Sequence, residues 1–204
     1  MPIRSAVIQD IESMHAAGLA TIAYYYFDFR DVEKQDCYGL LSSLILQLSV
    51  DSDSCFDILF RLYSDNARGI RKPTISALKA CLADMLSLPG QAPTYLIVDA
   101  LDECPNSSGT PSAREEVLEL INELVDLKLS NVHLCVASRP EMDIRMALEP
   151  LTSLKISLHE EIGQQKDIIE YIKYVVCSER RMRKWTENDK QLVIDTLSDR
   201  ADGM

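Results

Sequence analysis

Apolar residues fall into two rhythms along the chain. In YLIVDALDEC (95–104), Tyr95, Leu96, Ile97 and Val98 are apolar on both alternations, the pattern of a strand buried on both faces of a parallel sheet. TIAYYYFDF (21–29) and VHLCVA (132–137) predict two more buried strands, and LKISL (154–158) predicts a shorter one. Between them the spacing becomes helical. Ile3, Val7, Ile11 and Met14 mark a first helix stopped by Gly18. YGLLSSLILQL (38–48) follows, with Asp36 placed to cap it. Phe56, Leu59, Phe60 and Tyr63 stripe the next helix, up to Gly69. Ile75, Leu78, Leu82 and Met85 stripe another, opened by Pro73-Thr74 and closed by Pro89-Gly90.

Further on, Val117, Leu120, Ile121, Leu124 and Val125 line one face of a helix over 114–129. A short helix is expected near 143–148, a longer one starting near Gln164, and a last one over 187–197. Strands alternating with helices imply an α/β fold with a mainly parallel sheet. Three helices in succession between the first two strands form a long crossover. PNSSGTP (105–111) reads as a loop.

Composition narrows the class of function. With 204 residues, 47% hydrophobic and 26% charged, the chain can bury one full core, or one core and a small appendage. No stretch approaches the ~18 uninterrupted apolar residues of a membrane span. Asp10 and Glu12 fall where a signal peptide needs its apolar region, so a cytoplasmic location is expected. The net charge of −11 argues against nucleic-acid binding as the main task. Six scattered cysteines, with no C-x-x-C, read as free thiols packed as small hydrophobes.

Chemistry concentrates where the 95–98 strand ends in Asp99, Asp102 and Glu103. Open α/β sheets bind ligands at the carboxyl ends of their strands, and here acid replaces oil at that point. The 132–137 strand ends in Ser138-Arg139-Pro140, which brings a guanidinium to the same edge. Arg139 can face a ligand or pair with Asp99 or Glu103 across adjacent strand ends, and Ser138 suits capping of the helix that follows. Arg180, Arg181, Arg183 and Lys184 suit a solvated helix end, and Trp185 suits a packing role beside them. His15, His133 and His159 lack obvious partners.

YLIVDALDEC resembles a Walker B motif. Together with YYYFDF, GLLSSLILQL, VASRPE, IIEYI and the closing RADGM, it makes the chain similar to a NACHT domain of the STAND class of P-loop NTPases, in its fungal NLR-like and nephrocystin-type branch. The resemblance covers nearly all of the chain. It implies a three-layer α/β P-loop NTPase-like fold with the strands of Tyr24, Leu96 and Val136 side by side in that order. It also implies Mg²⁺ bound with ATP or GTP, with Asp99 facing the metal. Glu103 would be the water-activating carboxylate with Asp102 beside it, and Arg139 a sensor of the γ-phosphate. The partners it implies are effector domains, ankyrin or WD40 repeats and further copies of the same protein, in NLR-like signal transduction.

The chain departs from the family pattern in one respect that decides the chemistry. It holds no G-x-x-x-x-G-K-[ST], and its seven glycines are dispersed. The first strand and its phosphate loop are therefore expected to lie outside the sequence, and the chain to be cut at both ends. On that reading residues 1–160 are a truncated nucleotide-binding core and 161–204 the start of the helical region after it. The missing strand would sit between those of Val136 and Ile156, leaving the Ile156 strand either closed up or loose. With no phosphate cradle, the chain by itself is not expected to hydrolyse ATP or GTP or to hold a cofactor tightly. The alternative is a non-catalytic remnant that binds a related full-length protein or a partner domain.

Overall fold

The computed structural model describes residues 11, 13–50, 52–106, 111–156, 162–179, 182 and 184–200. The chain divides into two compact units, residues 1–151 and 152–204. The first holds a parallel sheet of three strands: β1 (Thr21–Tyr26), β2 (Thr94–Asp99) and β3 (Val132–Val136), in the order β1-β2-β3. Tyr24 lies beside Ile97, and Ile97 beside Cys135. This is the α/β architecture, and the strand order, that the sequence leads one to expect.

Helices α1 (Cys37–Val50), α2 (Asp53–Asp65) and α3 (Ile75–Leu86) connect β1 to β2, and α4 (Ala113–Asp126) connects β2 to β3. Each begins where its polar residues say it should. The Asp36 carboxylate accepts the Gly39 N–H at 2.7 Å, Ser52 caps α2, and Thr74 caps α3. Before β1, residues 11 and 13–16 are helical and end in a Schellman turn. There the Leu19 N–H reaches Met14 O, the Gly18 N–H reaches His15 O, and Gly18 takes φ +70. The start of that helix, with Ile3 and Val7, lies outside the described residues.

The sheet's two faces are covered unequally. Ala23, Tyr25, Leu96 and Val98 pack into one large core with Leu41, Leu44 and Ile45 of α1, Leu82 and Met85 of α3, and Val117, Leu120 and Ile121 of α4. On the other face, among the described residues, Ile11, Ile22 and Ile97 form a small cluster, flanked by Tyr24, Tyr26 and Tyr95. Two expectations are corrected here. VHLCVA is not buried on both faces, because His133 and Cys135 are exposed where no helix among the described residues covers β3. The stripe of Phe56, Leu59, Phe60 and Tyr63 on α2 also splits: its three aromatics are exposed, Leu59 packs against the core, and Cys55 and Ile58 are buried.

The outer edge of β1 is capped at its centre by a side chain. Gln47 of α1 donates to Tyr24 O at 2.7 Å and accepts the Tyr24 N–H at 3.1 Å, so its carboxamide occupies the place of a neighbouring strand. Among the described residues no strand pairs with β3 on its far side.

α5 (Met142–Leu148) and a 3-10 turn (Glu149–Leu151) close the first unit. Residues 154–156 form no strand, and Leu154 and Ile156 are exposed; the rest of LKISL lies outside the described residues. In the second unit α6 (Ile162–Ser178) and α7 (Glu187–Arg200) pack on each other, with Val176 and Ile194 buried. Trp185, expected to pack, is 42% exposed. Arg180, Arg181 and Arg183 lie outside the described residues.

Candidate functional site

The backbone turns sharply where β2 ends. Ala100 takes the left-handed conformation (φ 55, ψ 42), which few residues other than glycine adopt readily. A 3-10 turn over Leu101–Glu103 follows. Leu101 is fully buried and anchors the turn in the core, while its N–H bonds to Ala137 O at 3.1 Å just beyond β3. Phe27 N–H bonds to Asp99 O at 3.1 Å, and Ala137 N–H to Val98 O at 2.9 Å. All three strand exits are thus tied together, and the carboxylates of Asp102 and Glu103 project beyond the sheet.

Their partners come from the two flanking strand exits. Glu103 Oε2 accepts the Phe29 N–H at 3.2 Å, on the β1 side. On the β3 side Asp102 Oδ1 accepts the Arg139 N–H at 3.0 Å, and Arg139 Nε stands 3.5 Å from Asp102 Oδ2. The Asp102 side chain is 11% exposed and that of Arg139 is 82% exposed. Arg139 therefore grips the acid through its backbone while its guanidinium stays in solvent. Asp102, Glu103 and Arg139 line one open cavity of about 380 Å³, together with Phe29, Gln35, Cys104, Pro105, Arg114 and Glu141.

Asp99 does not line that cavity. It is buried, and it shares sheet parity with Ile97, on the face opposite the main core. The sequence thus brings Asp102, Glu103 and Arg139 together but leaves Asp99 on another side of the same strand end. The partner of Arg139 is Asp102, not Asp99 or Glu103 as one sequence reading had it. Ser138 does not cap α5: its hydroxyl donates to Arg139 O at 3.0 Å, and the residue preceding α5 is Glu141.

Arg114, in the first turn of α4, is the residue that the sequence reading missed. Its side chain is 6% exposed. Nη2 donates to Asp102 O at 2.6 Å and Nε to Cys104 O at 2.9 Å, while Nη1 reaches both Glu141 and, at 3.2 Å, Asp143. Burial works against the charge, and the bonds to the two carboxylates more than offset it, so the guanidinium is held above its ordinary value. One sequence signal was available. A cation in the first turn opposes the helix macrodipole, so Arg114 needed a specific partner to sit there.

Ser112 and Glu115 fix the helix start by a capping box, Ser112 Oγ accepting the Glu115 N–H and Glu115 Oε2 accepting the Ser112 N–H at 2.8 Å. Beneath the turn, burial pushes the Cys104 thiol up to about 12, with the Arg114 charge pulling the other way. On the β1 side Asp28 is forked by Arg30 at 2.9 Å, and that hydrogen bonding lowers its carboxyl to about 2.

These features define an open α/β domain whose carboxyl edge carries an acidic turn, held by the Phe29 N–H on one side and by Arg139 and Arg114 on the other. Residues 3–139 match the family model described as Nephrocystin 3, N-terminal. The chain belongs to that family. No curated protein and no solved structure matches it.

Proposed function

We propose that the chain is the acid-and-sensor half of a NACHT-type nucleotide switch, a signalling module whose phosphate-gripping half this sequence does not contain. The observation that carries the reading is the contact between Asp102 and Arg139 at the carboxyl edge of a parallel sheet, beside Glu103 and an open cavity. In such a switch Glu103 would orient a water, and the Arg139 guanidinium, left in solvent, would meet phosphate oxygens.

Mg²⁺ does not fit the residues present. Among the described residues no three of His, Cys, Asp and Glu converge as a metal site. Asp102 is already bonded to Arg139, and Asp99 lies off the cavity. A hard cation of this kind needs substrate phosphates besides one or two carboxylates.

The test is a ¹⁵N–¹H titration of the purified chain with MgATP and MgGTP, and with adenosine as the phosphate-free control. Binding is expected at about 1 mM or weaker, equivalent to roughly 4 kcal/mol. Shifts should be confined to the amides of Phe29, Asp102, Glu103 and Arg139. Micromolar affinity would overturn the half-site reading, and no response at these amides, or an equal one to adenosine, would overturn the nucleotide reading. That no strand pairs with the far edge of β3 among the described residues favours a second reading, a non-catalytic module that pairs with a related protein. Co-elution with a family member carrying G-x-x-x-x-G-K-[ST], with no amide response to nucleotide, would decide for it.

A further inference from the structure

Two loops meet at the candidate site, and one side chain stands between them. The acid turn, residues 101–104, bonds to Arg114 through the carbonyls of Asp102 and Cys104. The loop after β3 and the first turn of α5 present the carboxylates of Glu141 and Asp143 to Nη1 of the same guanidinium. Arg114 is also fixed from behind. Its own N–H bonds to Pro105 O at 3.1 Å, and the capping box holds the backbone around it. The five donors of a guanidinium form a rigid planar fork, so its two ends cannot tilt independently.

From this geometry we infer that Arg114 is a positioning residue that couples the loop after β3 to the acid turn, so that movement at Glu141 and Asp143 is felt at Asp102 and Glu103. The inference deepens the reading above and rests on Asp102, Glu103 and Arg139 being the site. A ligand that pulls on Arg139 displaces a loop that Arg114 holds two residues further on. The acids at the end of β2 are then reoriented through the two carbonyls and the Asp102–Arg139 bond together. Occupancy at the exposed arginine and the pose of the acids become one event.

The test uses the whole chain and no nucleotide, so its outcome is independent of the titration above. Hydrogen exchange is followed at the Glu103 and Cys104 amides, which bond to Ala100 O and Leu101 O within the acid turn. The variants are Glu141→Gln/Asp143→Asn, Arg114→Met and all three changes together. Neutralising the far loop should speed exchange in the acid turn about threefold, and Arg114→Met about tenfold, while slow amides of α1 stay unchanged. In the triple variant the far-loop changes should add nothing, because their path to the turn is gone. Arg114→Lys, which keeps the charge without the fork, should not rescue the turn. The coupling is overturned if the far-loop variant leaves Glu103 and Cys104 at the native rate, or if the two perturbations multiply. Should Arg114→Met fail to fold, the far-loop variant alone decides, since Glu141 and Asp143 are 44% and 36% exposed and Gln and Asn keep an oxygen acceptor at each position.

Discussion

Ala100 sits at the hinge of the acid turn in a backbone conformation that its side chain opposes. An ordinary residue held left-handed costs on the order of 1–3 kcal/mol, and glycine is spared most of that. Ala100→Gly therefore removes strain of about 1–2 kcal/mol but brings back about 0.5–1 kcal/mol of chain entropy, a net change between zero and a small gain. Ala100→Val moves the other way, because branching at Cβ makes positive φ worse. The two variants should differ by about 2 kcal/mol, or about 1 M in urea midpoint at a slope near 2 kcal/mol/M. Unfolding should be followed by tyrosine ellipticity, since six of the eight tyrosines (24, 25, 26, 38, 63 and 95) lie in residues 1–151. Trp185 belongs to the other unit and is the wrong reporter. Valine unfolding at the same urea concentration as glycine would refute the claim that the turn is strained.

Further expectations concern the surroundings of the turn. Ser112→Ala removes one half of the capping box and should cost about 1 kcal/mol, read as a lower urea midpoint. Burial raises the Cys37, Cys81 and Cys104 thiols from 9.0 to about 12, 11 and 12, so the fold favours their protonated forms. Their contribution to stability is complete below pH 9 and is lost as pH rises through 11–12, which urea midpoints taken from pH 8 to 11 will show. At pH 8 a thiol reagent should label exposed Cys135 and Cys177 and leave buried Cys37, Cys55, Cys81 and Cys104 until the chain unfolds. The Asp28 carboxyl should titrate near 2 by NMR and return toward 3.8 in Arg30→Ala; its small contribution is present above pH 3.8 and fades as pH falls through 2.

The strands and caps were legible because they are local. Continuous apolar runs marked Thr94–Asp99 and Thr21–Tyr26, and Asp36 and Thr74 announced the helices they cap. Burial was less legible. Alternation cannot tell a strand covered on both faces from one with an exposed second face, so VHLCVA was read as a buried strand although His133 and Cys135 are exposed. The stripe of Phe56, Phe60 and Tyr63 shows a face without showing which way it points. At the site, the presence of acids and Arg139 was readable, but not their pairing. Register put Asp102, three residues past the strand end, against Arg139 and left Asp99 on another side. Arg114 escaped notice because two of its four partners are carbonyl oxygens, which every residue has, and the other two are carboxylates far along the chain.

The carboxamide of Gln47 gives the sheet a direction of growth. With the Tyr24 N–H and C=O already taken, an incoming extended segment must displace a glutamine to bond at the centre of that flank. On the flank of Val132–Val136 no strand pairs among the described residues, so a newcomer, whether another copy or a different polypeptide, would meet no such plug there. An arrival there would move Arg139 and the acids from the margin of the sheet toward its middle. A chain that stands at the rim by itself would become central by association.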